Sequence, residues 1–169
     1  MATLHVGIVG CGRIADLHAL GYRDRTDARI AAVCDTRAGV ARDKARAWGV
    51  DKVYTDYAEL LADPGIGLVE LLVPHHLHAE MAVQACRAGK HVSVQKPMAL
   101  SLEEADRMLA AAREAGVTLR VYENFVFYPP HVRARELLRA GEIGEPQMLR
   151  MHVSTGKSDT AWKVPLSAW

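Results

Sequence analysis

The sequence holds little that would tie it to an oxidising compartment, a polynucleotide or a membrane. It has only three cysteines, Cys11, Cys34 and Cys86, in no CxxC spacing, so they read as reduced thiols rather than a disulfide framework. Charge of one sign is scarce: Lys and Arg number 21 against 20 Asp and Glu, for a formal net charge of +1. No basic stretch suggests nucleic acid, and there is no acidic tail. No apolar run approaches a membrane span, and the first residues lack the basic and apolar regions of a signal peptide. Internal repeats and low-complexity linkers are also missing. What remains is an ordinary globular composition, expected in the cytoplasm with no nucleic-acid or membrane partner. Its 169 residues suffice for one well-buried domain and the start of another.

The most informative stretch runs from Leu4 to Asp35. Leu4-His5-Val6-Gly7-Ile8-Val9 is an apolar, β-branched run suited to a strand buried on both faces of a parallel sheet. It stops at Gly10, a helical pattern runs from Arg13 to about Arg25, and a second strand-like run, Ile30 to Cys34, ends at Asp35. Strand, glycine turn, helix, strand and an acid about 20 residues on is the dinucleotide-binding pattern. Gly10 suits a tight turn, and Gly12 leaves room for a pyrophosphate at the helix N-terminus. Ala15 lets the helix lie close to the strand. An ordinary strand–turn–helix is the bland alternative. A methyltransferase-type nucleotide site is the stronger one, but it usually carries an acid just before the glycines, and Val6-Gly7-Ile8-Val9 has none.

Further along, helices are expected over Ala38–Trp48, Tyr57–Ala62 and Leu77–Arg87, the last burying Leu77, Met81 and Ala85. Strands are expected at Val53-Tyr54, Leu68–Val73, His91–Val94 and Val117–Val121. Ser101 and Glu104 form a capping-box pair that opens a helix with Ala105, Met108, Leu109 and Ala112 as its apolar stripe. Pro129-Pro130 precedes another helix, and a new strand is expected from Met148 to Val153. Strands alternating with helices imply an α/β fold, a doubly wound parallel sheet over residues 1–122. Residues 123–169 read as a connecting helix and the first part of a second domain. Ligands of such sheets lie beyond the carboxyl ends of the strands. That singles out Gly10 to Ile14, Asp35, Pro74 to His78, Gln95 to Pro97 and Tyr122 to Phe127.

With these motifs in order, the sequence resembles the glucose–fructose oxidoreductase/inositol dehydrogenase (Gfo/Idh/MocA) family of NAD(P)-dependent oxidoreductases. The matching stretches are Gly10 to Ala15, Val73 to His78, Ala88 to Val92, Gln95 to Pro97, Asn124 to Pro129 and Gly141 to Gly144. The resemblance implies a Rossmann domain followed by an α+β open-sheet domain that makes the oligomer contact, hence a homo-oligomer. It implies hydride transfer between nicotinamide and a secondary alcohol carbon of a sugar or cyclitol. Two departures stand out. Gln95 replaces the family's usual Glu before Lys96-Pro97, so a possible ion-pair partner of Lys96 becomes a hydrogen-bonding one. The family's Asp-x-x-x-His motif, which supplies the substrate-side acid/base, would also fall beyond Trp169.

The resemblance places Lys96 beside the nicotinamide, where its charge would orient a sugar hydroxyl and stabilise developing alkoxide. On chemistry alone it would be a solvated loop lysine. Gly10, Gly12, Arg13 and Ile14 would cradle the pyrophosphate, and Pro74 and His75 would approach the nicotinamide ribose. Asp35 would accept the adenosine ribose hydroxyls and favour NAD, although it could equally cap the next helix. Arg37 is close enough to pair with a 2′-phosphate, which keeps NADP open. Asn124 is a site candidate because an amide there needs partners. Tyr122 and Phe127 could wall the pocket or join two domains. His75, His76 and His78 invite a metal, but their spacing at a strand–helix junction seldom converges. A nucleotide-binding module without turnover, acting as a sensor or assembly subunit, is the rival function.

Overall fold

The computed structural model describes residues 3–123 and 125–152, in two compact units, Met1–Tyr122 and Glu123–Trp169. In the first unit, the apolar runs form β1 (Leu4–Val9), β2 (Ala28–Cys34), β3 (Lys52–Tyr54), β4 (Leu68–Leu71), β5 (His91–Gln95) and β6 (Leu119–Tyr122). All neighbouring pairs are parallel, and the sheet order is β3-β2-β1-β4-β5-β6. This is the doubly wound order whose direction reverses between β1 and β4, where ligands of such sheets bind.

Helices α1 (Ala15–Leu20), α2 (Ala38–Trp48), α3 (Tyr57–Ala62), α4 (His78–Arg87) and α5 (Leu102–Glu114) connect the strands. Alternate strand residues feed opposite faces. Val9, Cys34, Val69, Leu71, Val92 and Val94 pack with α3, α4 and α5. Val6, Ile8 and Val33 pack in the clusters that contain Ala15 of α1 and Ala41 and Ala45 of α2. Each fully buried Val or Leu contributes about 1.5–3 kcal/mol.

Three of the expected helices need correction. Helix α1 is six residues long and does not reach Arg25. From Gly21 on, amides bond to the third residue back instead of the fourth, as in Tyr22 N–H to Ala19 O at 3.1 Å, which tightens the chain into turns. In α4 the buried face is His78, Ala79, Ala82, Val83, Ala85 and Cys86, while Leu77 is exposed. A 3-10 turn over His75–Leu77 precedes α4 and rotates its register. In α5 Met108, Ala111 and Ala112 are buried and Leu109 faces outward.

Ser101 Oγ accepts from Glu104 N–H at 3.2 Å, and Glu104 Oε2 accepts from Leu100 N–H at 2.9 Å. The capping pair therefore closes one residue earlier than the usual box. At the opposite end of the sheet from the strand tips, buried Lys90 donates to the carbonyls of Asp63 at 2.8 Å and Ile66 at 2.9 Å.

In the second unit, α6 (Pro129–Arg139) has prolines in its first turn, where an N–H has no intrahelical partner. The rings of Phe125, Tyr128 and His131 meet there at centroid distances of 5.3–6.1 Å. The strand expected from Met148 is absent over the described residues 148–152, which have no ladder partner among the described residues. Val153 lies outside the described residues.

Candidate functional site at the strand ends

The parallel registers bring the carboxyl ends of the central strands side by side. Val9 stands opposite both Cys34 and Leu71, Leu71 opposite Val94, and Gln95 opposite Tyr122. The glycine turn leaves β1 at this edge. Gly10 has φ +92°, and a Cβ built there would lie 2.5 Å from the Leu72 carbonyl oxygen, so both backbone angle and packing demand glycine. Gly12 differs. A Cβ there would meet nothing within 4 Å, so the protein leaves open space in front of this backbone. Arg13 is exposed. Ile14 is half-buried and packs against the cluster of Val6, Ile8, Ala15 and Leu72, so it supports the turn from behind. Ala15 is fully buried there.

Asp35 ends β2 beside this turn. Its Oδ2 accepts from Cys11 N–H at 2.9 Å, and its Oδ1 accepts from Arg37 N–H at 2.9 Å and Arg37 Nε at 3.1 Å. Burial works to raise its pKa. The hydrogen bonds from Arg37 and Cys11 and the guanidinium charge outweigh that and hold the carboxyl below its ordinary range. Asp35 is not the helix cap that the sequence left open: the N-cap position of α2 is Arg37. Arg37 itself lies against Asp35, with its side chain two-thirds exposed. The neighbouring thiols are buried, and desolvation pushes Cys11 up to about 11 and Cys34 up to about 12, which makes them inert.

Beyond β4, Pro74 is exposed and His75 half-buried. His75 has its pKa lowered by burial and by the charges of His78, Lys96 and His76. His78 is wholly buried at the start of α4. Its Nδ1 faces the Pro97 carbonyl at 2.8 Å and its Nε2 the Val73 carbonyl at 3.0 Å, so it braces the segments that follow β4 and β5. Lys96 is half-buried, and no hydrogen bond or ion pair holds its ammonium among the described residues. Among those residues no three His, Cys, Asp or Glu side chains are grouped to hold a metal ion. Asn124 lies outside them. Phe127, in the second unit, is exposed.

Sequence reasoning missed one constellation. Glu70, in the middle of β4, is fully buried. It accepts from Tyr22 Oη at 2.5 Å and pairs with His18 Nδ1. His18 Nε2 meets Gln95 Nε2 at 2.8 Å, and Gln95 Oε1 accepts from Lys96 N–H at 2.8 Å. The Tyr122 ring stands edge-on to His18 at 4.9 Å. Gln95 therefore engages Lys96 through the backbone rather than the ammonium. The signal was an acid inside an apolar strand, which must find donors when buried.

The family model described as an oxidoreductase family with an NAD-binding Rossmann fold, GFO_IDH_MocA, matches residues 4–123. The chain is 32% identical over 148 residues to the myo-inositol 2-dehydrogenase of Thermotoga maritima, covering 88% of this chain and 44% of that protein. The WlbA dehydrogenase from Bordetella pertussis, solved with NADH and UDP-GlcNAcA, has a TM-score of 0.80 at 29% identity, over 84% of this chain and 43% of that one. A variant of KijD10, a 3-ketoreductase from Actinomadura kijaniata solved with TDP-benzene and NADP, has a TM-score of 0.77 at 32% identity, over 85% and 46%. The chain spans less than half the length of these relatives.

Proposed function

This chain belongs to the GFO_IDH_MocA oxidoreductase family, and on that premise we propose that it is the cofactor-binding half of a dehydrogenase acting on sugars or cyclitols. The observation that carries the reading is the pairing of open space over Gly12 with a carboxylate, Asp35, tied to the same turn. A pyrophosphate fits where a Cβ would otherwise point. Cys11 N–H, Arg37 N–H and the Arg37 guanidinium together take up the roughly four acceptor sites of Asp35, so the guanidinium swings aside to leave two of them to ribose hydroxyls. The negative charge of Asp35 disfavours a 2′-phosphate, so NAD(H) is the preferred cofactor. Arg37 is committed to Asp35 and would have to turn away before it could serve NADP.

The bound nicotinamide supplies a hydride acceptor for a secondary carbinol carbon. The chain's own part is binding and orientation. Lys96 is the catalytic residue in this reading: its ammonium, held by no hydrogen bond or ion pair among the described residues, orients the hydroxyl and stabilises alkoxide character as hydride leaves. Pro74 and His75 contact the nicotinamide ribose. Residues 123–169 begin the substrate domain, through which the protein assembles as a homo-oligomer.

NADH fluorescence titration of this chain tests the proposal, with NADPH and S-adenosylmethionine as competitors. Saturable NADH binding that S-adenosylmethionine does not displace is expected. Binding of S-adenosylmethionine alone would establish a methyltransferase-like site instead. NADH binding without turnover in any assembly of the protein would establish the sensor or assembly-subunit reading.

A further inference from the structure

We propose that Glu70, His18 and Gln95 form a partly buried positioning relay that holds His18 as its neutral Nδ1–H tautomer and fixes the backbone of Lys96. The proposal rests on the reading of Lys96 as a cofactor-side residue. The Lys96 backbone N–H can only donate, so the Gln95 atom that it meets at 2.8 Å must be the amide oxygen. The amide NH2 then faces His18 Nε2 at 2.8 Å. An amide nitrogen offers no lone pair, so Nε2 accepts and the ring proton sits on Nδ1, against Glu70. The other carboxylate oxygen takes the Tyr22 hydroxyl. No buried side-chain polar atom among the described residues lacks a partner. The chain of bonds thus runs from the interior of β4, through α1, to the residue that ends the strand beside the cofactor.

The arrangement depends on an amide at position 95. In Gln95→Glu, both side-chain oxygens accept. One still meets Lys96 N–H, and the other faces His18 Nε2, so the ring is flanked by acceptors on both nitrogens. Taking up one proton on Nε2 resolves this, and that proton cancels the added carboxylate charge. The titratable groups at the ring are Glu70 from β4 and Tyr122 from β6, with Tyr22 from the turn after α1 on the other oxygen of Glu70, while β5 presents the uncharged Gln95. Burial and the Glu70 carboxylate push Tyr22 far up, so its hydroxyl stays a donor.

Nitrogen-15 spectra of the histidine rings in the full chain read the proton directly, with His18 assigned by loss of its signals in His18→Phe. Wild type is expected to show one ring proton, on Nδ1, at neutral pH, and Gln95→Glu to show protons on both nitrogens. NADH affinity is compared between wild type and Gln95→Glu from about pH 6 to about pH 8. In Gln95→Glu it should weaken about fivefold or more as His18 loses its added proton with rising pH. An Nε2–H or doubly protonated His18 in wild type overturns the relay, and so does a neutral ring in Gln95→Glu. A titrating His18 with pH-independent NADH affinity overturns its coupling to Lys96. Absence of NADH binding by wild type would refute the cofactor reading and leave the ring spectrum to decide the relay. The wild-type spectrum also decides should Gln95→Glu fail to fold.

Discussion

The backbone N–H of Cys11 donates to Asp35 Oδ2 across 2.9 Å, tying the glycine turn after β1 to the acid that ends β2. The residue read as the ribose acceptor therefore also holds the shape of the loop read as the pyrophosphate cradle. Both ends of an adenosine diphosphate would be placed by one carboxylate.

That double duty separates two variants. NADH should bind better than NADPH, and Asp35→Ala should narrow the gap by removing the repulsion. It should also cost about 1–3 kcal/mol of stability, because the buried Cys11 N–H loses its acceptor. Asp35→Asn, which keeps an acceptor oxygen, should narrow the gap with less loss of stability. Fluorescence titrations with both cofactors and urea unfolding measure the two effects. A wild-type preference for NADPH would contradict the assignment and point to Arg37.

The two glycines of the turn should fail in different assays. Gly12→Val puts its side chain into open space, so the fold should persist while NADH affinity falls more than about tenfold, a loss above ~1.4 kcal/mol. Gly10→Ala forces a Cβ to within 2.5 Å of the Leu72 carbonyl at φ +92°. It should destabilise the domain by about 2 kcal/mol or more. Thermal melts paired with NADH titrations distinguish the cases, and equal affinity of Gly12→Val and wild type would refute the site.

Acid stability should depend on Asp63. Hydrogen bonds from Lys52 and the Gly65 N–H, with help from Tyr54, hold its carboxyl down at about 2 against an ordinary 3.8. A depressed folded pKa stabilises the native state above the unfolded value, and that stability is lost as pH falls toward the folded one. Asp63→Asn should therefore flatten the stability profile between about pH 4 and pH 2, by on the order of 1 kcal/mol after solvent screening. Urea midpoints across that range would show it, and an unchanged slope would count against it.

Lys90→Met should destabilise by roughly 2–4 kcal/mol, since it strands the Asp63 and Ile66 carbonyls in the interior. Lys90→Arg should not restore the loss, because a planar fork does not fit a site shaped around one ammonium. Chemical denaturation of both variants provides the check.

Assayed with a panel of sugars and inositols, residues 1–169 should bind NADH yet reduce NAD far below the ordinary enzyme range of about 1 per second or more. In the proposed reading Lys96 would supply charge and orientation, but fast hydride transfer also needs a base at the hydroxyl and a wall against water. Turnover in the normal range would show that the groups at these strand ends suffice.

Much of the fold was legible because its signals are local. The β-branched runs, Gly49 ending α2 at φ +68° and Ser101 capping α5 through Glu104 N–H each act within a few residues. The strand-end candidates followed from topology. The mistakes came where tertiary bonds override periodicity: the 3-10 turn before α4 rotated its buried face, and the turns after α1 carry Tyr22 to Glu70. His18 and Gln95 are 77 residues apart, so no window along the chain could pair them. Gln95 looked like a weakened tether for Lys96, whereas its amide holds that residue by the backbone.

His78 joins the Val73 and Pro97 carbonyls through one imidazole, and this has a dynamic consequence. Both carbonyls accept and a neutral imidazole has one N–H, so the ring ties the turn after β4 to the segment after β5 by donating from both nitrogens, which takes two ring protons. In amide hydrogen exchange, residues 74–77 and 96–99 should report a shared opening free energy, and His78→Ala should split it into two lower ones. The floor beneath a nicotinamide would then be set by a side chain that never reaches it.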